Sequence, residues 1–124
     1  MRALYGEDGT KNACHGSDAP KSAERELGLI FSSQAVVRSR PYYENSTLCI
    51  IKPHAVKAKL IGQIVDAILS SGFEISAMQM IWFDHAASQE FYEPYKFLPE
   101  QKKMIDQLAS GASVALEVRQ DHAV

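Results

Sequence analysis

Leu60, Ile61, Ile64, Val65, Ile68 and Leu69 recur at i, i+1, i+4 and i+5, and Gly72 stands just beyond them. That recurrence lays one apolar stripe along a helix, and the glycine provides its stop. A helix of this kind needs a second layer to cover its stripe. The flanking sequence offers one. Leu48-Cys49-Ile50-Ile51 is a short apolar run of the buried-strand type, which Pro53 prevents from simply extending. Phe73, Ile75, Ala77, Ile81 and Phe83 fall on the odd positions of a long strand. Met78, Met80 and Trp82 make its other face apolar as well, which predicts that both faces are covered, as core or as a subunit interface. Asp84 can cap a helix running through Tyr95, and a further helix is predicted from Pro99 to about Ala109, with Met104, Ile105 and Leu108 inward and Gly111 past its end. Val114, Leu116 and Val118 then alternate with smaller or polar residues as a last strand.

Upstream the pattern is different. Gly6 to Gly16 reads as a turn-rich entry with a short extended piece at Asn12 to His15. Ser17 or Asp18 is placed to cap a helix over roughly Ala19 to Leu27, with Pro20 in its first turn and Gly28 near its end. Phe31 to Ser46 loses periodicity and gathers serines, Pro41 and Asn45, which marks a seam in the chain. The element order is strand-helix, seam, strand-helix-strand-helix-helix-strand. Alternation of this kind predicts an α/β (α+β) fold with helices against a small sheet, best matched by a ferredoxin-like split βαβ arrangement.

Composition narrows the function classes. A chain of 124 residues has room for one modest core, and a net charge of −2 gives no electrostatic case for nucleic acid or a membrane surface. The residues after Met1 lack the apolar stretch of a signal peptide, so the expected setting is cytoplasmic. Cys14 and Cys49 have no metal-ligand spacing and read as reduced thiols, and no protein metal site is expected. His54, His85 and His122 belong to no constellation.

The chemistry-bearing stretch is Asn12-Ala13-Cys14-His15-Gly16-Ser17-Asp18. A histidine can accept a phosphoryl group when one ring nitrogen is neutral and exposed and the other is held by a hydrogen bond. Glu26, on the helix that starts just after His15, could do the holding. Phosphate charge must be neutralised by positioned cations and donors, a role that suits Arg2, Asn12 and Lys52, while Tyr92 could add a hydroxyl.

Arg2, Asn12-x-x-His15-Gly16-Ser17-Asp18, Ser22-Ala23-x-x-Glu26 and Ile51-Lys52-Pro53 together closely resemble the nucleoside diphosphate kinase family. The resemblance implies that His15 is transiently phosphorylated, that Glu26 orients it and that Ser17 assists. It also implies that Lys52, Arg2, Asn12 and Tyr92 contact nucleotide phosphates or sugar. The implied reaction is ping-pong transfer of a γ-phosphate between nucleoside triphosphates and diphosphates, with Mg2+ bound through the nucleotide phosphates. In that family the lysine strand comes first and the histidine strand last, whereas here His15 precedes Lys52 by 37 positions.

The resemblance therefore implies a chain across the junction of two tandem modules: 1–30 as the C-terminal part of the first, 31–46 as a linker and 47–124 as the N-terminal part of the second. An alternative arrangement is a rearranged fold, as if circularly permuted, in which the His15 and Lys52 strands pair. Lys11 stands where the family usually has an arginine. Leu98 and Glu100 stand where many members have an arginine and a base-stacking phenylalanine. Those departures suit the alternative function, a non-enzymatic scaffold or binding module of the centrosome or ciliary axoneme, with self-association or cytoskeletal and axonemal partners.

Overall fold

The computed structural model describes residues 1–32 and 41–123. Residues 33–40 of the expected 31–46 linker lie outside the described residues. The chain divides into two compact units, Met1–Arg38 and Ser39–Val124.

Unit 1 holds two helices, α1 (Arg2–Tyr5) and α2 (Pro20–Leu27). Pro20 suits the first turn of α2, where its missing N–H costs nothing. The residue before it, Ala19, takes the N-cap position with no side-chain bond to the helix, so neither expected cap, Ser17 or Asp18, stands there, and the Ser17 hydroxyl donates to Glu26 instead. The α-helical part ends at Leu27, as expected, with Gly28 as its C-cap. The Gly28 backbone is right-handed helical (φ −60°, ψ −42°), and the chain continues as a π-helical turn over Gly28–Ser32. The extended piece expected at Asn12 to His15 forms no strand. Ala13 has a positive φ of 66°, and the Cys14 N–H donates to the Asn12 carbonyl at 2.8 Å, so a tight three-residue turn replaces the pleat.

Unit 2 contains a three-stranded antiparallel sheet in the order β1-β3-β2, from β1 (Ser46–Ile51), β2 (Glu74–Trp82) and β3 (Ala112–Arg119). β1 and β2 run parallel with β3 inserted between them, which is the split βαβ arrangement. Between β1 and β2 lie α3 (Pro53–Lys57), a helix the sequence did not suggest, and α4 (Ile61–Ser70). Gly72 (φ 87°) closes α4 in the left-handed conformation that favours glycine. Between β2 and β3 lie α5 (His85–Phe91), a 3₁₀ turn at Glu93–Tyr95 and α6 (Gln101–Leu108). Asp84 caps α5 as expected, its Oδ1 accepting the Ala87 N–H at 2.8 Å. Pro94 falls in the 3₁₀ turn, so α5 itself ends short of Tyr95.

The alternation of Val114, Leu116 and Val118 sends all three to one face of β3, where they meet Ile51 and Ala55 in the main core. Ile61, Ile64, Val65 and Ile68 of α4 pack against that cluster, so the stripe finds its predicted cover. The opposite face carries a second cluster of Tyr92, Ile105 and Leu108, joined by Ile50 and Phe83.

Two expectations need correction. The register against β3 shifts between Ile75 and Ala77, so Ser76 is an extra residue in β2 and the simple odd-even division fails. Ile75 pairs with Val118, and Met78 and Met80 pair with Leu116 and Val114, which puts Ile75 on the methionine face. That face is not fully covered within this chain: Met78 and Met80 stay about half exposed and Trp82 is 69% exposed on the edge strand. Nor is β1 evenly buried, since Leu48 is 58% exposed on its outer half. Truncating Leu116, which is fully buried, to Ala should cost about 2–5 kcal/mol in chemical denaturation, whereas Leu48→Ala should change stability by roughly 0.5 kcal/mol or less. Equal losses at the two positions would contradict the placement of the core.

Candidate functional site

The Met1–Arg38 unit brings three of the expected site residues together through one carboxylate oxygen. Glu26 lies in the last turn of α2, and its Oε2 meets the His15 Nε2 at 2.8 Å. The Ser17 hydroxyl donates to the same Oε2 at 2.6 Å. Arg25 donates from Nη2 to the other oxygen, Oε1, at 3.2 Å. An ionised carboxylate gathers these donors, and they hold its pKa below the usual value. The Ser17 hydrogen bond is the largest cause, followed by the bond to His15.

His15 is otherwise open: its side chain is three-quarters exposed. With Nε2 engaged by a carboxylate, that nitrogen carries the proton and Nδ1 keeps its lone pair in the neutral ring. Nδ1 makes no hydrogen bond among the described residues.

A network of short-range bonds sets the segment before His15. The Asp8 Oδ1 accepts the N–H groups of Thr10 and Lys11, each at 2.7 Å, and the Glu7 N–H donates to the Lys11 carbonyl at 2.7 Å. Those two amides also hold the Asp8 carboxyl below its ordinary pKa, Lys11 first and Thr10 second. Where the chain returns past α1, Gly6 leaves no room for a side chain: a Cβ there would sit 2.7 Å from the Arg2 carbonyl oxygen and 3.0 Å from the Asn12 Cα. Arg2 donates from Nε to the Cys14 carbonyl at 2.8 Å, tying α1 to the residue immediately before His15. Asn12 donates from Nδ2 to the Gly9 carbonyl at 3.2 Å. Arg2 and Asn12 are thus built into the turn that carries the histidine.

In the Ser39–Val124 unit, Lys52 follows the end of β1 and takes the N-cap position of α3. Its Nζ stands 5.9 Å from the centre of the Tyr92 ring, within cation–π range. Tyr92 itself is 5% exposed, a core residue of the second cluster with edge contacts to Phe91 and Tyr95. Sequence reasoning did not anticipate a packed platform under the lysine. It also missed Glu117, whose environment is among the most unusual of any carboxylate described here. Burial alone would raise its pKa, but bonds from Ser76, Tyr42, Tyr43 and Ser46 outweigh that and pull it down to about 2. The only sequence signal was a charged residue on the central strand.

Among the described residues no group of three His, Cys, Asp or Glu side chains could hold a metal ion, and no helix is long and apolar enough to cross a membrane.

Glu26 yields a pH prediction with a definite sign. Its folded pKa lies below the ordinary glutamate value of 4.5, so the His15–Glu26–Ser17 cluster gains stability above that value and loses it as pH falls through the folded pKa. Ser17→Ala removes the largest cause and should move the Glu26 titration, followed by carboxyl-carbon NMR, upward toward 4.5. An unchanged midpoint would contradict the shared-oxygen geometry.

The chain is similar to known proteins over nearly its whole length. The family model for nucleoside diphosphate kinase matches residues 1–36 and 45–124. Nucleoside diphosphate kinase homolog 7 of Rattus norvegicus is 45% identical over 98% of this chain, which spans 32% of that relative's length. A nucleoside diphosphate kinase of Methanocaldococcus jannaschii is 36% identical over 63% of this chain and 56% of its own. Among solved structures, the Aquifex aeolicus nucleoside diphosphate kinase superposes with a TM-score of 0.62 at 30% identity, covering 64% of this chain and 57% of that one. The matched residues include both the His15 turn and the Lys52 strand, and the chain belongs to the nucleoside diphosphate kinase family.

Proposed function

We propose that this chain carries the phosphotransfer chemistry of a nucleoside diphosphate kinase, with His15 as the acceptor, divided between two half-sites. The observation that carries the reading is the single Glu26 oxygen that binds both the His15 Nε2 and the Ser17 hydroxyl. It leaves Nδ1 as the nucleophile. In the step proposed, the Nδ1 lone pair attacks the γ-phosphorus of a nucleoside triphosphate. An N–P bond forms as the bond to the β,γ-bridging oxygen breaks, and the nucleoside diphosphate leaves. The ring gains positive charge as the bond forms, and Glu26 stabilises it through Nε2–H without taking the proton. Return transfer to the terminal oxygen of a second diphosphate regenerates neutral His15.

Arg2 spends Nε on Cys14, so its two Nη groups remain to meet phosphate oxygens beside the histidine, with Asn12 alongside. Lys52, steadied on Tyr92, supplies the cation of the second half-site. Magnesium, when bound, screens charge on the β- and γ-phosphates. Phosphate oxygens would carry it.

The division of the chain at Arg38/Ser39 supports the reading that 1–30 closes one module and 47–124 opens the next, as does the fraction of its relatives' length that it spans. A scaffold role is the second reading, favoured by Glu100, which places a carboxylate at the start of α6 where many members of the family stack the base. Location at the centrosome or axoneme belongs to that second reading.

Transfer from ATP to GDP by the intact chain should follow ping-pong kinetics. His15→Ala should abolish turnover, and Glu26→Gln should lower kcat by roughly 10²-fold while leaving the nucleotide KM nearly unchanged. A folded chain with no turnover would favour the scaffold reading.

A further inference from the structure

The segment that enters unit 2 lies outside any helix or strand, yet its backbone is held by bonds to β3 and the residue that follows it. The Tyr42 N–H donates to both oxygens of Glu117 at 2.9 Å, and the Tyr43 N–H donates to Oε1 at 2.7 Å. Two successive amides converging on one anion form the concavity in which backbone holds a negative charge. The Ser76 hydroxyl, on the extra residue of β2, donates to Oε2 at 2.5 Å, and Ser46 adds a further side-chain bond.

Two residues along the same face of β3, Arg119 grips the same segment. Its Nε donates to the Glu44 carbonyl at 3.3 Å, and its guanidinium stands 4.5 Å from the centre of the Tyr42 ring. Nη1 lies 3.6 Å from Glu74, and the Gln120 N–H donates to the Asn45 carbonyl at 3.2 Å.

The backbone pays for this course. Tyr43 and Asn45 have φ values of 61° and 47°, the left-handed region that a bulky tyrosine rarely adopts without compensation. The compensation is local and charged. Leu48 pairs with Glu117, so the segment crosses the half of the sheet face that the second core cluster does not reach.

We propose that Glu117 and Arg119 form a strap anchor: they clamp residues 41–45 onto the central strand, so that the chain entering this unit becomes fixed at Tyr42 rather than at the start of β1. The carboxylate remains ionised throughout the physiological range, which makes the strap constitutive rather than pH-gated. The anchor thereby extends the fixed part of this unit back from β1 to Tyr42. It does not depend on whether the His15 site is active.

Amide hydrogen exchange on the intact chain tests it directly. Tyr42 and Tyr43 should exchange at least tenfold more slowly than unstructured chain, although both side chains are exposed. Glu117→Gln, which keeps shape and removes charge, should erase that protection and speed chymotryptic cleavage after both tyrosines, while the Leu116 and Val118 amides stay protected. Arg119→Gln should loosen the same segment by a smaller factor. Coil-like exchange at Tyr42 and Tyr43 in the unmodified chain would overturn the proposal, as would undiminished protection in a folded Glu117→Gln chain.

Discussion

The register of β3 is the constraint on which the larger unit depends. It is the only strand paired on both sides among the described residues, so its two faces decide what each layer can be. Val114, Leu116 and Val118 make one face apolar, and α4 with α3 closes over it. At one end of the other face, Tyr92, Ile105 and Leu108 pack with Ile50 and Phe83. Glu117 and Arg119 occupy the opposite end of that same face, where their charge is matched by amides, hydroxyls and a tyrosine ring. A slip by one residue would exchange the two sets and bury both charges unpaired. The extra residue at Ser76 lets β2 keep this register while turning a hydroxyl toward Glu117.

The histidine unit works on a shorter scale. None of its helix residues is buried, so its geometry comes from hydrogen bonds between near neighbours in sequence. Gly6 allows the chain to fold back on itself, Asp8 fixes the turn, and Arg2 pins the residue before His15. Ser17 lies two residues before the Ala19 N-cap, and its hydroxyl binds Glu26, which places the carboxylate. Such a unit holds the His15 ring in one orientation while leaving its second nitrogen in the open.

Much of this was legible from residue pattern. The α4 stripe, the Gly72 stop, the Asp84 cap and the alternation in β3 rest on spacing and local chemistry, and the structure keeps them within a residue or two. The Glu26–His15 pairing was expected from a motif, and a distance of 2.8 Å gives it geometry. What escaped were effects that need two distant segments at once. The Ser76 bulge becomes visible only against the β3 register, and it moved Ile75 to the face of Met78 and Met80. Nothing at Tyr42 or Tyr43 signals a partner some 75 residues away. The Asn12 to His15 strand failed because Ala13 turns left-handed, a choice alanine's own propensity does not suggest.

The central claim is that Glu26 commits the Nε2 of His15 and so directs phosphate to the other nitrogen. Phosphorus-31 NMR of the chain after incubation with ATP and magnesium, under alkaline conditions that preserve phosphohistidine, reads this atom by atom. The account predicts a single acid-labile signal from phosphate on the Nδ1 of His15. Phosphate on Nε2, on Ser17, or nowhere in a folded sample would contradict it.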